Sequence, residues 1–363
     1  MCQPSRWPRK FLTSFGLADG ESPCLFLCAV HVKRWLAQRV NTAIAASMAL
    51  STSTQYAGVE DFFLLFGLYT RGGEIFLPAN DDLLCEYLAW QSLSVDPKNL
   101  NGRLSAIRHL HLRMGLQWTP VSERYRVDRC LTGLMRLCPR STRRKLPITP
   151  QLLIRMRKCR SIAWDDPRMR VVWAAMLTAF FCFLRKDNFT VAKVDSFNSR
   201  KRLTRGDVVV GANCVQYTLR HSKTNQFGLR EHTVVAPAIQ GCLLDAREAV
   251  IKAFQVCPGA KKADPAFCLP SVAGSVVPLT HQVFVASLRY CLKAIGVDPN
   301  KYSGHSFRRG GATFALNRGV DPLYVKWMGD WRSDAYLGYV DQYAPESLVR
   351  LPAAMAAACA RMG

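Results

Sequence analysis

The chain has 363 residues, enough for about two ordinary domains at ~150 residues each. Half of it is apolar (49%), so each domain can bury a core, which excludes wholesale disorder. Its 49 Lys and Arg against 26 Asp and Glu leave a net charge of +23, more than a small-metabolite enzyme needs and suited to a polyphosphate partner, whose condensed counterions are released on binding. An anionic membrane surface would call for a polybasic tail beside an amphipathic helix, and here the charge is diffuse. No apolar stretch reaches the ~18 residues of a membrane span. The longest, 171–184, stops at Arg185. Nucleic acid is therefore the expected partner, with no membrane.

Residues 1–30 show no clear period and read as an extension of unknown role. Arg6, Arg9 and Lys10 precede Phe11 and Leu12, but Asp19 and Glu21 interrupt any signal-peptide core; a transit peptide over the first 18 residues is the other reading. Helical periodicity then predicts a helix over 31–50. Ser51 to Thr54 can cap a second, carrying Tyr56, Val59, Phe62, Phe63 and Phe66, and Gly72-Gly73 breaks it. Asp81 and Asp82 open a third. Asn99 or Asn101 caps a fourth, with Leu104, Ile107, Leu110 and Met114 inward and Arg103, Arg108, His109 and Arg113 on its other faces. A fifth runs over 121–137. A basic, proline-bounded linker follows at 139–148, with Arg143, Arg144 and Lys145 at its centre. It reads either as a solvated connection or as a strap crossing a phosphate backbone.

The second half is mixed. Residues 171–184 are apolar on all sides, the mark of a central buried helix. Between 203 and 235 the period shortens (LTRGDVVV, CVQYTLRH, REHTVVA), which predicts a three-stranded antiparallel sheet. Helices resume at 280–295, 306–318, 322–328, 334–342 and 345–361. Fourteen cysteines include no CxxC, and Cys24 and Cys28 have no matching pair downstream to close a zinc site. Cys85, Cys182, Cys242, Cys291 and Cys359 fall in apolar helical patterns, so the thiols read as reduced, in an intracellular protein.

Three places can carry chemistry. Arg185 emerges from the buried helix, where a charge must find a partner, a cleft or solvent. Lys223 sits at a hairpin tip. His305 and Arg308 lie three apart at the start of a helix, on one face and beside the positive end of its dipole.

In chain order Arg185, Lys223, His305-x-x-Arg308, Trp331 and Tyr339 resemble the active-site set of the tyrosine recombinases, the family of the phage integrases and the Cre and Xer recombinases. There an Arg follows a buried helix, a Lys sits on a β-hairpin, an HxxR follows, and a G-x-[HW] precedes a Tyr. Gly329-Asp330-Trp331 and Tyr339 fill the last two places. The resemblance covers about residues 30–345, including STSTQYAGVEDFFLLF in the helical domain and KLPIT at 145–149. RRGGATF and GDWRSDAYLGYV are most similar to recombinases of eukaryotic mobile elements, such as DIRS-type retrotransposons. Two places depart from the pattern. Asn188 stands where the family usually has Glu or Asp, and the Trp331-to-Tyr339 interval of eight is shorter than in many bacterial members. Tyr336 and Tyr343 are the neighbouring candidates, although Tyr339 has the apolar follower that the family shows.

The resemblance implies a mainly α chain: a helical DNA core-binding domain at 31–138, the linker at 139–148, and an α+β catalytic domain with a small antiparallel sheet at 149–345. The C-terminal helix at 346–363 reads either as a closing helix packed on its own domain or, as the resemblance implies, as a tail that docks on a neighbouring protomer. The implied function is a site-specific recombinase that cuts and rejoins double-stranded DNA through a 3′-phosphotyrosyl link for mobile-element integration or excision. It would need no metal, ATP or other cofactor, act as a tetramer on two DNA sites, and in a eukaryote work in the nucleus. Chemistry favours the same residues. Two Arg forks can neutralise the charge that builds on a phosphodiester under attack. A phenol with a pKa of ~10 needs a base or a strong field, and His305 can take its proton. Lys223 can protonate the departing 5′-oxygen, and the Trp331 indole can only donate a hydrogen bond. Arg103, Arg108, Arg113, Arg143, Arg144 and Lys145 are the candidate DNA-backbone contacts. Rival readings are a type IB topoisomerase, a cleavage-dead DNA-binding protein, and a basic RNA-binding protein, the last weakened because Phe62, Phe63 and Phe66 read as core.

Overall fold

The computed structural model describes residues 29–138, 144–271 and 274–342. Arg143, Tyr343, the 1–28 extension, Cys359 and the helix expected over 345–361 lie outside the described residues, as does the side chain of Tyr339. The chain divides into two compact units between Thr142 and Arg143.

The first unit is helical: α1 (Ala29–Ala46), α2 (Leu50–Thr70), α3 (Asp81–Ser92), α4 (Leu100–Arg113) and α5 (Tyr125–Leu137). Phe63, Leu84, Tyr87, Leu88, Leu104, Ile107 and Val127 form its core. The Asn80 side chain caps α3 by accepting from the Leu83 N–H at 2.9 Å. Glu60 is buried on α2 and accepts from Arg113 at 2.8 Å, with His109 at 2.7 Å, tying α2 to α4. Several expectations shift here. α1 stops at Ala46, and Ser51 to Thr54 lie inside the first turn of α2 instead of capping it. Asn99 precedes α4 without a side-chain cap, because a 3-10 turn at Pro97–Asn99, capped by Asp96, already starts the chain winding. The expected 121–137 helix is a 3-10 turn followed by α5. Phe62 is 58% exposed while Phe63 is fully buried, since neighbours on a helix point ~100° apart and one apolar stripe cannot hold both. Met114 lies just beyond α4 and faces solvent.

The second unit begins with residues 144–149, which have no regular structure but hydrogen-bond onto it: the Leu146 N–H donates to the Lys301 carbonyl (2.7 Å) and the Ile148 N–H to that of Ser306 (2.9 Å). The part of the expected linker that is described therefore belongs to this unit. Next come α6 (Pro150–Lys158), α7 (Pro167–Phe181) and the single turn α8 (Lys186–Phe189). α7 is buried from Val171 to Phe180, as its unbroken apolar run dictates. Three strands, β1 (Val208–Val210), β2 (Cys214–Leu219) and β3 (His232–Pro237), form an antiparallel sheet in that order, with Tyr217 opposite Val208 and Val234. Val215, Tyr217 and Leu219 turn inward from alternate positions of β2, and the Tyr217 hydroxyl meets that of Thr178 on α7 at 2.8 Å. α9 (Ala246–Phe254) packs on α7. A ribbon of β4 (Cys268–Pro270) and β5 (Val276–Pro278) follows, then α10 (His281–Ala294), α11 (His305–Asn317), α12 (Pro322–Met328) and a 3-10 helix at Asp334–Gln342. The fold is thus mainly helical with small antiparallel sheets. Cys242 lies in the turn before α9 and not in a helix. Cys182 and Cys291 are buried, and burial pushes the Cys291 thiol up to about 12.

α11 reaches the centre of this unit because it carries Gly310 and Gly311. A Cβ on Gly310 would overlap the Ile148 carbonyl, and one on Gly311 the Phe180 carbonyl. Gly133, inside α5, has open space where its Cβ would stand. Gly311→Ala should therefore lower unfolding stability by about 1–3 kcal/mol or more, whereas Gly133→Ala should raise it by about 0.5–1 kcal/mol. Urea denaturation of both variants checks this; equal effects would contradict the packing described.

Candidate active site

Four of the six residues singled out in the sequence meet around the N-terminus of α11. Arg308 is 2% exposed. Its Nη1 donates to the Phe183 carbonyl at 2.6 Å, and its guanidinium carbon lies 3.7 Å from the centre of the Trp331 ring. Phe183 presents that carbonyl because the chain turns sharply after α7, with Phe183 at φ +50°. A left-handed non-glycine residue costs about 1–2 kcal/mol, and a hydrogen bond to a charged group contributes about 1.5–3 kcal/mol in return.

The same turn delivers Arg185, half-buried at the head of α8. The Arg185 N–H donates to Asn188 Oδ1 at 3.0 Å, and the Asn188 N–H returns a bond to the Arg185 carbonyl at 2.9 Å. An amide oxygen at position 188 thus fastens the Arg185 backbone at the head of α8. The aliphatic chain of Lys186 packs against Gly304, immediately before His305.

Trp331 leaves α12 through the turn Gly329-Asp330. Its ring occupies the space where a Cβ on residue 329 would stand, which makes Gly329 obligatory, and Asp330 takes a left-handed φ of +53°. Tyr336 packs beside Trp331 in a small cluster with Phe183, Ala312, Leu316 and Val325 and is 6% exposed. It is placed as core. Lys223 stands apart from this group, exposed on the loop between β2 and β3. The loop is nevertheless bound to the Trp331 turn, because the Ser222 hydroxyl donates to the Asp330 carboxylate at 2.6 Å.

Beside His305 opens a cavity of about 320 Å³ lined by Arg144, Lys145, Ser303, His305, Arg309 and Gly338. Lys145 Nζ donates to the Asn300 carbonyl (2.6 Å), Arg144 Nη1 to that of Gly338 (3.3 Å) and Arg309 Nη1 to that of Lys145 (2.7 Å). Gly338 directly precedes Tyr339 in the terminal 3-10 helix. The His305 ring reaches solvent at the cavity mouth, yet desolvation by the surrounding protein and the charges of Arg308, Arg185 and Arg309 push its pKa down to about 4. At neutral pH it is an uncharged imidazole among cations, able to accept a proton, and the cavity suits an anion.

Two groups escaped the sequence reading. Arg309, 5% exposed, lines the cavity; the Arg-Arg doublet after His305 was its only signal. Arg200, Lys201, Arg202, Arg220 and His221 cluster around Asn188, and the basic run 200–205 could have pointed to them. Burial, with the charges of Lys201 and Arg202, lowers the His221 pKa. Of the expected DNA contacts, Arg108 is exposed, Arg103 half-buried and Arg113 paired with Glu60, all in the first unit. Among the described residues no group of three or more His, Cys, Asp or Glu is arranged to hold a metal ion, and no helix is long and apolar enough to cross a membrane.

No protein-family model and no curated protein matches the sequence. Solved structures do. The Tn1549 transposon integrase in complex with transposon right-end DNA aligns at 12% identity and a TM-score of 0.56, covering 88% of this chain and 98% of that one. A lambda integrase dimer bound to a COC′ core site aligns at 14% identity and a TM-score of 0.52, covering 85% and 94%. The XerH site-specific recombinase in a post-cleavage complex with palindromic difH substrate aligns at 13% identity and a TM-score of 0.53, covering 77% and 72%. The chain has the fold of these tyrosine recombinases and integrases.

The low His305 pKa has a defined signature. In the unfolded chain the imidazole titrates near ~6.5, so the folded form binds fewer protons between there and about 4. The stability that follows is complete above ~6.5 and is lost as pH falls toward 4. NMR titration of the free protein should show the His305 ring protonating below pH ~5. Arg185→Gln should raise its midpoint, and a midpoint near ~6.5 in the unaltered protein would contradict the arrangement.

Proposed function

We propose that this protein is a tyrosine recombinase that cuts and rejoins double-stranded DNA without metal or ATP. The observation that carries the reading is the convergence of Arg185, His305, Arg308 and Trp331, from three separated segments, beside the residue that precedes Tyr339. Fold alone would not require those residue types at those places.

In the proposed reaction the phosphodiester docks at His305, beside the cationic cavity, and Arg185 and Arg308 neutralise its nonbridging oxygens. The Tyr339 hydroxyl attacks phosphorus and gives its proton to the neutral His305. The bond from phosphorus to the 5′-oxygen breaks, and Lys223 supplies the proton that the departing oxygen needs. The phosphate is left on Tyr339 as a 3′-phosphotyrosyl ester. Attack by a 5′-hydroxyl, from the same or another strand, reverses these steps. One ester replaces another, so bond energy is conserved. The burial of Tyr336 favours Tyr339 as the nucleophile. The Tn1549 and lambda integrase structures are DNA complexes, which supports duplex DNA as the partner here. Integration or excision of a mobile element, four copies on two sites, and a eukaryotic element of DIRS type as the source belong to the same reading; the last rests on GDWRSDAYLGYV.

Incubation with nicked duplexes taken from the chain's own genomic flanks, without metal or ATP, should give a covalent adduct on a denaturing gel. The adduct should map to Tyr339 and vanish in Tyr339→Phe, with DNA affinity retained. An adduct on Tyr336 would overturn the assigned nucleophile. No adduct from a duplex that the protein binds would replace the reading with that of a cleavage-dead DNA-binding protein.

A further inference from the structure

The loop between β2 and β3 carries Lys223 in an exposed position, yet its two immediate neighbours are fastened to a single distant carboxylate. The Ser222 hydroxyl donates to Asp330 Oδ2 at 2.6 Å, and the Thr224 hydroxyl donates to the same oxygen. Arg230, at the far end of the loop, forms an ion pair with Asp330 Oδ1. The Thr224 hydroxyl also lies 3.4 Å from the Asp330 carbonyl oxygen. Within the loop, Asn225 Nδ2 donates to the carbonyls of Arg220 (3.0 Å) and Arg230 (2.6 Å), closing its base. The loop is therefore one folded piece, held through residues on both sides of Lys223.

Asp330 is placed for this task by its backbone. It is 8% exposed and left-handed, in the turn that presents Trp331 to Arg308. One residue thus faces two ways: its main chain supports the Trp331 ring over the guanidinium, and its carboxylate grips the lysine loop. A second stitch runs parallel, with His232 Nε2 3.2 Å from the Met328 carbonyl and its ring against Trp327.

We propose that Asp330 is a positioning residue that docks the Lys223 loop against the Arg308–Trp331 centre and so sets the proton donor for the leaving 5′-oxygen. The inference rests on the strand-transfer reading and adds to it a residue that acts through the Lys223 loop. Burial alone would raise the Asp330 pKa, but the hydrogen bonds from Ser222, Thr224 and Arg230 outweigh it and hold the carboxyl below its usual range, so the grip is ionic at neutral pH. With residues 222 and 224 fixed, the Lys223 backbone is within one Cα step, about 3.8 Å, of an anchored neighbour on either side.

The test separates proton donation from folding. Asp330→Asn, Lys223→Ala and the loop-side pair Ser222→Ala/Thr224→Val are compared with the unaltered protein on nicked duplexes whose scissile phosphate carries either the natural 5′-bridging oxygen or a 5′-bridging sulfur. A thiolate leaves without a proton, so the sulfur substrate bypasses the donor. All three variants should be slowed about 10²-fold or more on the oxygen substrate, the scale of a general acid, and should return to within a few-fold of the unaltered protein on sulfur. Asp330→Asn equally slow on both substrates, or unimpaired on oxygen, would overturn the assignment. A second readout needs no activity: trypsin should cut after Lys223 faster in Asp330→Asn than in the unaltered protein at equal melting temperature, and equal rates would also overturn the docking role. If the unaltered protein cleaves neither substrate, the recombinase reading falls, while the trypsin comparison still decides whether Asp330 holds the loop.

Discussion

A guanidinium almost wholly removed from water is the constraint around which the second unit is arranged. Stripping water from Arg308 is costly unless its N–H groups and charge are met within the protein. The Phe183 carbonyl accepts from Nη1, and the Trp331 ring faces the positive charge. Each of those partners demands something further. The Phe183 carbonyl requires a left-handed turn after α7, and the Trp331 ring requires glycine at 329. α11 can carry Arg308 this deep only because two glycines let it press against backbone carbonyls of Phe180 and Ile148. Turn, helix and GDW motif are thus three consequences of one buried charge.

The electrostatics extend the same logic outward. Desolvation, joined by the charges of Arg308, Arg185 and Arg309, keeps His305 neutral, so the resting site is a cationic pocket beside an unprotonated base. In the proposed reaction an entering phosphate would relieve the repulsion among the cations and raise the affinity of His305 for a proton as the Tyr339 phenol loses one. The wider charge of +23 would bring the duplex to this pocket, with a strong dependence on salt.

The helical first unit, the buried α7 and the six-residue strands β2 and β3 were legible because each displays a period. The nine-residue helices α6 and α9 and the three-residue strands β4 and β5 were not read. Thr149-Pro150 and Asp245 were the cap signals that could have marked the two helices. Among the site residues, Arg185, His305, Arg308 and Trp331 could be read because their types and order resemble the tyrosine recombinase set. What could not be read is what holds them: the left-handed Phe183, the deep burial of Arg309, and a carboxylate at 330 bonded to a loop more than a hundred residues away. Those depend on tertiary approach, which leaves no period in a sequence. Phe62 and Met114 failed for a related reason, one at the edge of a helical stripe and the other past a helix end.

The central claim is that Arg308 balances the charge of a scissile phosphate, and removing that charge from the DNA tests it most directly. Arg308→Ala and the unaltered protein would be given nicked duplexes with either a phosphodiester or an uncharged methylphosphonate at the cleavage position, and covalent adduct would be measured over time. The account predicts that Arg308→Ala loses about 10²–10³-fold in rate on the phosphodiester, the scale of an electrostatic stabiliser in an active site, and recovers most of that loss on the methylphosphonate. An Arg308→Ala protein that stays folded and is equally impaired on both substrates would contradict it, leaving Arg308 as a part of the core and not of the chemistry.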